Sequence, residues 1–414
     1  MVAVRRVLGA ALVAGVVLVG LLANATAYLA GFTAPPPDAS RADHGLSHAR
    51  PGPHPVGVRR PAPTGSAPSL TVWYPAADVA PVGRRLTHSY ALTFLSAGST
   101  TALATSTGRA HLGAAPDTAG PYPLVVLSSG FAITAGSYAW LAEHLASYGM
   151  VVVAPEHEES LDPRTLWQAT LDRPDVVDRT RAEAAAMARP GGDLAGLVDP
   201  DTTAVVGHSY GGYTALAAGG ARIDTGAFES TCARARAADD PVVFLCDALL
   251  PHLEAVAAGS RRPGGSGEAS VGAAVDAVVS LAGDAAMFGT AGLAELDAPL
   301  LVVGGTADHD SPFDWSSRLA YDSVSSPRKA EVALEGAGHF VFTGACQSMR
   351  RLFTVVPAGF CSDPGWDRER ARAVTRHYVA AFLLAELAGE STSAAALSTA
   401  VAPVEEVGYR AAGY

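Results

Sequence analysis

The sequence predicts an α/β protein built on a mostly parallel, doubly wound sheet, and three observations carry that prediction. Pro123–Leu127 (PLVVL) is an apolar run of strand length, Ser137–Tyr148 is patterned as an amphipathic helix stopped by Gly149, and Met150–Ala154 is a second apolar run closed by Pro155. A strand–helix–strand unit that short implies a right-handed crossover between parallel strands. Thr202–Gly220 (TTAVVGHSYGGYTALAAGG) then repeats the order of β-branched run, tight Gly-containing turn and Ala-rich helix. Three later runs, Val275–Leu281, Pro299–Val303 and Ala330–Leu334, read as strands buried on both faces.

Length and composition fit that class. The 414 residues allow one large α/β domain or two ordinary ones, and 49% apolar with 17% charged residues describes a chain with a sizeable core. A net charge of −11 argues against a nucleic-acid partner, because phosphate binding needs clustered cations. Lys329 is the only lysine, which reads as genome composition bias.

At the N-terminus, Arg5 and Arg6 precede an apolar run from Val7 to Leu22, and Ala23-Asn24-Ala25 fits a small-x-small cleavage site. Mostly apolar residues continue to Phe32, so residues 1–32 are expected to be a cleaved signal peptide or a retained signal anchor. Residues 33–68, headed by Pro35-Pro36-Pro37, are expected to be an extended Pro-rich linker, with His44, His48 and His54 in a solvated tail. The folded domain is expected over 69–390, opening on an alternating strand from Leu70 to Tyr74 and a weaker Thr- and Ser-rich region to about Thr118. Helical composition returns at Asp175–Ala188. An irregular insertion, Ile223–Val271, follows the helix after the Gly-containing turn and is placed to cover a pocket. Arg370–Leu387 is a long Ala/Leu-patterned helix, and 391–414 is expected to fray.

Four cysteines fit an oxidising compartment. Of the three possible pairings, the local ones, Cys232 with Cys246 and Cys346 with Cys361, are expected, each closing a loop of about 15 residues worth roughly 3 kcal/mol. Without a Cys-x-x-Cys, zinc and redox chemistry are poorly supported.

The chemistry is concentrated at Gly207-His208-Ser209-Tyr210-Gly211. Gly-x-Ser-x-Gly between a strand and a helix is the pattern of a nucleophile elbow, and its glycines supply the lack of bulk a strained turn needs. A serine hydroxyl needs a base, and the base an orienting acid. In a doubly wound sheet these belong on loops after later strands. Gly304–Pro312 offers Asp308, with Asp310 as the less favoured alternative, and Glu335–Phe340 offers His339. The oxyanion requires two backbone N–H donors, for which Tyr210 and Phe131 are the candidates. His208 is expected to line the site and His309 to be solvated. Glu156, His157, Glu158 and Glu159 are expected to rim the pocket, because their spacing matches no metal-ligand pattern even with His309 and Asp310.

These residues resemble the α/β-hydrolase superfamily, and within it dienelactone hydrolases, platelet-activating-factor acetylhydrolase-like proteins and cutinase-like polyester hydrolases. The matching features are Ser129-Gly130-Phe131, Trp140-Leu141-Ala142, Leu145–Gly149, Gly207–Gly212, Gly305–Asp308 with Pro312, and Gly338-His339-Phe340. The resemblance spans about Ser69–Leu387. It implies the α/β-hydrolase fold with an insertion after the nucleophile helix, a Ser209–His339–Asp308 triad, and Phe131 and Tyr210 as oxyanion donors. Dienelactone hydrolases carry cysteine where this elbow has Ser209.

The expected function is therefore an exported serine hydrolase of carboxylic esters, of lipid, short-chain or polyester type, needing no cofactor and no metal. Its partner is a small-molecule or lipid ester, with membrane anchoring through residues 7–32 left open and the location secreted or in the cell envelope. The alternatives are a non-catalytic binding protein on the same scaffold, or an acyltransferase or peptidase with the same triad.

Overall fold

The computed structural model describes residues 46–63, 68–77, 84–93, 100–160, 162–238, 243–260, 275–343, 363, 365–400, 404 and 406–414. The expected signal segment 1–32 and the Cys346–Cys361 pair lie outside the described residues.

Among the described residues, eleven strands form one sheet in the order β11-β10-β9-β8-β7-β5-β6-β2-β1-β4-β3. In chain order they are β1 (Val56–Arg59), β2 (Leu70–Pro75), β3 (Arg85–Thr93), β4 (Thr100–Leu112), β5 (Tyr122–Ser128), β6 (Val151–Pro155), β7 (Val198–His208), β8 (Ala277–Leu281), β9 (Leu300–Gly305), β10 (Lys329–Leu334) and β11 (Val407–Ala412). The run from β10 to β6 is parallel throughout. The flanking strands add the antiparallel pairs.

Each central strand is buried on both faces because its apolar residues alternate into two cores. Val125, Leu127, Ala204 and Val206 face one layer with α1 (Ala139–Ser147). Leu124, Val126 and Val205 face the other with α2 (Leu166–Ala188) and α3 (Tyr210–Ala218). Three helices, α4 (Thr225–Ala237), α5 (Val243–Leu249) and α6 (Leu253–Ser260), make up the described part of the insertion, and Cys232–Cys246 staples α4 to α5. The short α7 (Gly289–Leu293) and α8 (Ser317–Ser323) precede α9 (Arg368–Leu387), which buries Val374 to Leu384 on the α1 side, and α10 (Ser391–Ala396).

Three expectations need correction. The stretch 33–68 is not an unpacked linker over its described part: β1 pairs with β2 and β4, and Val56 and Val58 are buried. Gly57 is what hides this strand, since a Cβ there would come within 2.4 Å of the Tyr74 ring that covers it. His48 and His54 are accordingly half-buried and held in place, His48 bonding Ser393 Oγ at 3.0 Å and His54 bonding Asp117 at 3.1 Å, while His44 lies outside the described residues. The Thr- and Ser-rich region is a long antiparallel pair, β3–β4, that buries Tyr90, Ala91 and Leu92. At the other end, 391–414 does not fray over its described residues. There β11 closes the sheet against β10, and Arg410 satisfies the inward-facing Glu331 at 2.7 and 2.8 Å.

The chain order places β5 between β6 and β7. The crossovers leave that point in opposite directions, so a crevice opens at the carboxyl ends of β5 and β7, where Ser128 and Gly207 are register partners.

Candidate active site

Ser209 stands in that crevice on a backbone few residues adopt, with φ 57° and ψ −123°. The glycines two positions either side are dictated by contact. A Cβ at Gly207 would lie 2.0 Å from the Gly211 carbonyl oxygen, and one at Gly211 would lie 2.1 Å from that of Ser128. The turn is pinned from below by Ser209 N–H donating to Leu281 O at 2.8 Å. Helix α3 begins at the next residue, which aims its N-terminal dipole at the serine.

Asp308 and His339 reach the same point from the loops after β9 and β10. His339 Nδ1 lies 2.7 Å from Asp308 Oδ2 and its Nε2 lies 2.8 Å from Ser209 Oγ. The other carboxylate oxygen, Asp308 Oδ1, accepts from the N–H groups of Asp310 and Ser311 at 2.9 and 2.8 Å. Asp310, the alternative acid, therefore serves Asp308 through its backbone. Burial disfavours the imidazolium of His339, but the adjacent Asp308 carboxylate outweighs it, with a further push from Asp310, and the pKa stands above the ordinary value. His309 is exposed, as expected.

A crevice at the switch point, a strained serine elbow and this chain order of serine, aspartate and histidine decide the architecture. The chain has the α/β-hydrolase fold. Residues 87–229 match the family model described as Chlorophyllase, a family of esterases with that fold. The match runs from β3 into α4, so it takes in the elbow and the turn after β5 but ends before Asp308 and His339. No curated protein matches the chain.

In this hydrolase fold, Phe131 and Tyr210 flank Ser209 on the wall of one cavity of roughly 300 Å³, their rings edge to face at 6.0 Å. Leu92, Ile133, Leu166 and Phe340 add apolar wall, and α5 contributes Leu245 and Ala248, with the half-exposed Phe244 at the mouth. The described part of the insertion thus lines the pocket through α5. Among the described residues no group of three or more His, Cys, Asp or Glu could hold a metal ion.

Several residues that shape the site escaped the sequence reading. Arg173 on α2, almost fully buried, donates to Ser129 O at 2.6 Å and Gly130 O at 3.2 Å, fixing the turn that carries Phe131. Its charge is matched bidentately by Glu159 at 2.7 Å on both nitrogens, and Glu159 also accepts from Ala132 N–H. Glu159 thus braces the turn. Glu156 accepts from Ala135 N–H, His157 bonds Ser128 Oγ, and none of Glu156 to Glu159 lines the cavity, contrary to expectation.

Pro174, next to Arg173, lacks an N–H and so frees the Thr170 carbonyl, which accepts instead from Tyr213 OH at 2.9 Å. This ties α2 to the elbow helix.

His208 does not line the cavity; it lies behind His339. Its Nε2 is 3.1 Å from His339 O, an atom that only accepts, so Nε2 carries the proton. Nδ1 then accepts from Tyr138 OH at 2.8 Å, and the Tyr138 oxygen accepts from Gly130 N–H at 3.1 Å. Burial, reinforced by the charge of His339, holds the His208 pKa well below its usual range and keeps the ring neutral. One chain of hydrogen bonds therefore joins the turn after β5 to the histidine loop.

Proposed function

We propose that this protein is a serine hydrolase of carboxylic esters, acting through Ser209, His339 and Asp308. The observation that carries the reading is the continuous hydrogen-bond path from Ser209 Oγ through the His339 ring to Asp308, at 2.8 and 2.7 Å. Geometry of this kind lets His339 Nε2 take the serine proton as Oγ attacks the acyl carbonyl, while Asp308 holds the tautomer and offsets the imidazolium charge. The backbone N–H groups of Phe131 and Tyr210 are assigned to the tetrahedral oxyanion, in a turn that Arg173 preorganises. His339 then returns the proton to the leaving alcohol. Water, activated by the same histidine, attacks the acyl-enzyme, releases the acid and restores the Ser209 hydroxyl.

The family match supports ester cleavage but stops short of the acid and base, and it carries no argument about which ester is cleaved. The apolar cavity supports an acyl group with hydrocarbon character. Export is part of the same proposal: the Cys232–Cys246 disulfide is what an oxidising compartment allows. Among the described residues no helix is long and apolar enough to cross a membrane, and the segment assigned to export or anchoring, 1–32, lies outside them.

The test is hydrolysis of p-nitrophenyl butyrate by purified protein and by Ser209→Ala. Loss of at least about 10³-fold in kcat is expected. Full activity in Ser209→Ala would refute the assignment.

A further inference from the structure

The cavity beside Ser209 is mostly apolar; besides Ser209 and His339, its polar lining comes from Tyr210, Asp310 and Ser311 and from Asp284, which the hydrolytic residues do not use. Asp284 lies on its wall, in the loop after β8, and is only 4% exposed. Its Oδ1 accepts from Ala286 N–H at 2.9 Å, while Oδ2 is buried with no hydrogen-bond partner among the described residues. Tyr210 and Tyr213 stand close enough to feel its charge, but both hydroxyls are engaged at Thr170. No described Arg, Lys or His pairs with it. A buried carboxyl oxygen without a donor is costly, and an apolar lining could have avoided it.

The loop that carries Asp284 is rigid and indexed to the nucleophile. Leu281 O accepts from Ser209 N–H, Ala282 N–H donates to Val303 O at 2.7 Å, and Ala285 N–H donates to Trp315 O at 3.3 Å. Ala282 holds a positive φ of 45° to make the turn, a strain that fixes where the next residues point. Asp284 therefore keeps a set position relative to Ser209.

Resting on the proposed ester-hydrolase reading, we infer that Asp284 is the specificity residue of this cavity, accepting a hydrogen bond from a hydroxyl or ammonium on the otherwise apolar group of the ester. The substrates are then functionalised esters, not plain hydrocarbon ones. A donor brought in by the ligand satisfies Oδ2, and an unsubstituted chain leaves it orphaned. Burial pushes the Asp284 pKa up to about 6, so the group is an acceptor at neutral pH and sits poised for a partner that compensates its desolvation.

The experiment compares kcat/KM within matched sets. One set is p-nitrophenyl hexanoate against its monohydroxy isomers and its terminal amine. The other is butyl acetate against the analogues carrying a terminal hydroxyl or amine on the alcohol side. The two sets separate acyl from alcohol recognition, and the hydroxyl and amine arms separate the two donors. At least one donor-bearing ester is expected to exceed its plain parent by about tenfold or more in the wild-type protein.

That ratio is expected to fall close to one in Asp284→Leu and to lie between in Asp284→Asn, which keeps an acceptor without the charge. A ratio taken within each variant is insensitive to the fraction folded. Preference for plain chains throughout, or a preference that survives in Asp284→Leu, overturns the inference alone. Failure of every ester, plain or substituted, overturns the hydrolase reading and this inference with it.

Discussion

At Ser209 the strained backbone, the two flanking glycines and the His339 contact serve one end, a hydroxyl held clear of the sheet within hydrogen-bond distance of His339 Nε2. The raised pKa of His339 has a consequence for rate. Ester attack needs the neutral imidazole, so kcat/KM should fall on the acid side with an apparent pKa above the ordinary value of about 6.5. Removing the charge in Asp308→Asn withdraws most of what raises that pKa and leaves burial opposed only by the smaller push of Asp310. The acid limb should then move to lower pH while kcat drops by roughly 10³- to 10⁴-fold. A pH–rate profile of both proteins checks this, and an acid limb that stays put in Asp308→Asn would contradict it.

At the scale of elements, the support for the site comes from α2, and α2 was legible only in part. The helical composition of Asp175–Ala188 locates its second half, but the helix starts at Leu166 and runs through Pro174. Proline there looks like a breaker. The structure tolerates it because Tyr213 takes up the freed Thr170 carbonyl, a partner 43 residues away that no local pattern announces.

Arg173 was unreadable for the same reason, since its contacts at Ser129, Gly130 and Glu159 are made across the fold. By contrast Ser209, Asp308 and His339 sit in short glycine-rich turns after apolar runs, where spacing alone signals them. Arg173→Met should strand the Glu159 carboxylate and cost about 3–5 kcal/mol in denaturant unfolding, with a fall in kcat. Adding Glu159→Gln should recover most of the stability but not the rate, because the turn after β5 has lost its brace. Recovery of the rate as well would show that Arg173 acts only through charge balance.

Over the whole molecule, the central parallel strands were evident from their apolar runs, and the edges were not. The strands outside the parallel run carry mixed sequence: β1, held between β2 and β4, hides a glycine under Tyr74, and the edge strand β11 is half-buried with Arg410 directed at Glu331. Both nonetheless complete the sheet, β1 by joining β2 to β4 and β11 by covering β10. A chain cut to 69–390, the domain the sequence outlines, should therefore expose unpaired strand edges and the apolar surface that Val56 and Val58 cover. It is expected to be aggregated or to lose several °C in Tm relative to a chain that begins at residue 46 and keeps its C-terminus. Thermal unfolding with light scattering on the two chains decides it, and equal stability would mean that β1 and β11 are accessory.

The most direct measurement of the central claim is intact mass and peptide mapping after reaction with a fluorophosphonate probe, on the full chain expressed for export. The expected result is one adduct, on Ser209, formed rapidly in the wild-type protein and at least about 10²-fold more slowly in His339→Ala. The same spectrum reads the mature N-terminus. Folded protein that remains unlabelled, or that carries its adduct elsewhere while Ser209 stays bare, would contradict an activated nucleophile and leave the binding-protein reading in its place.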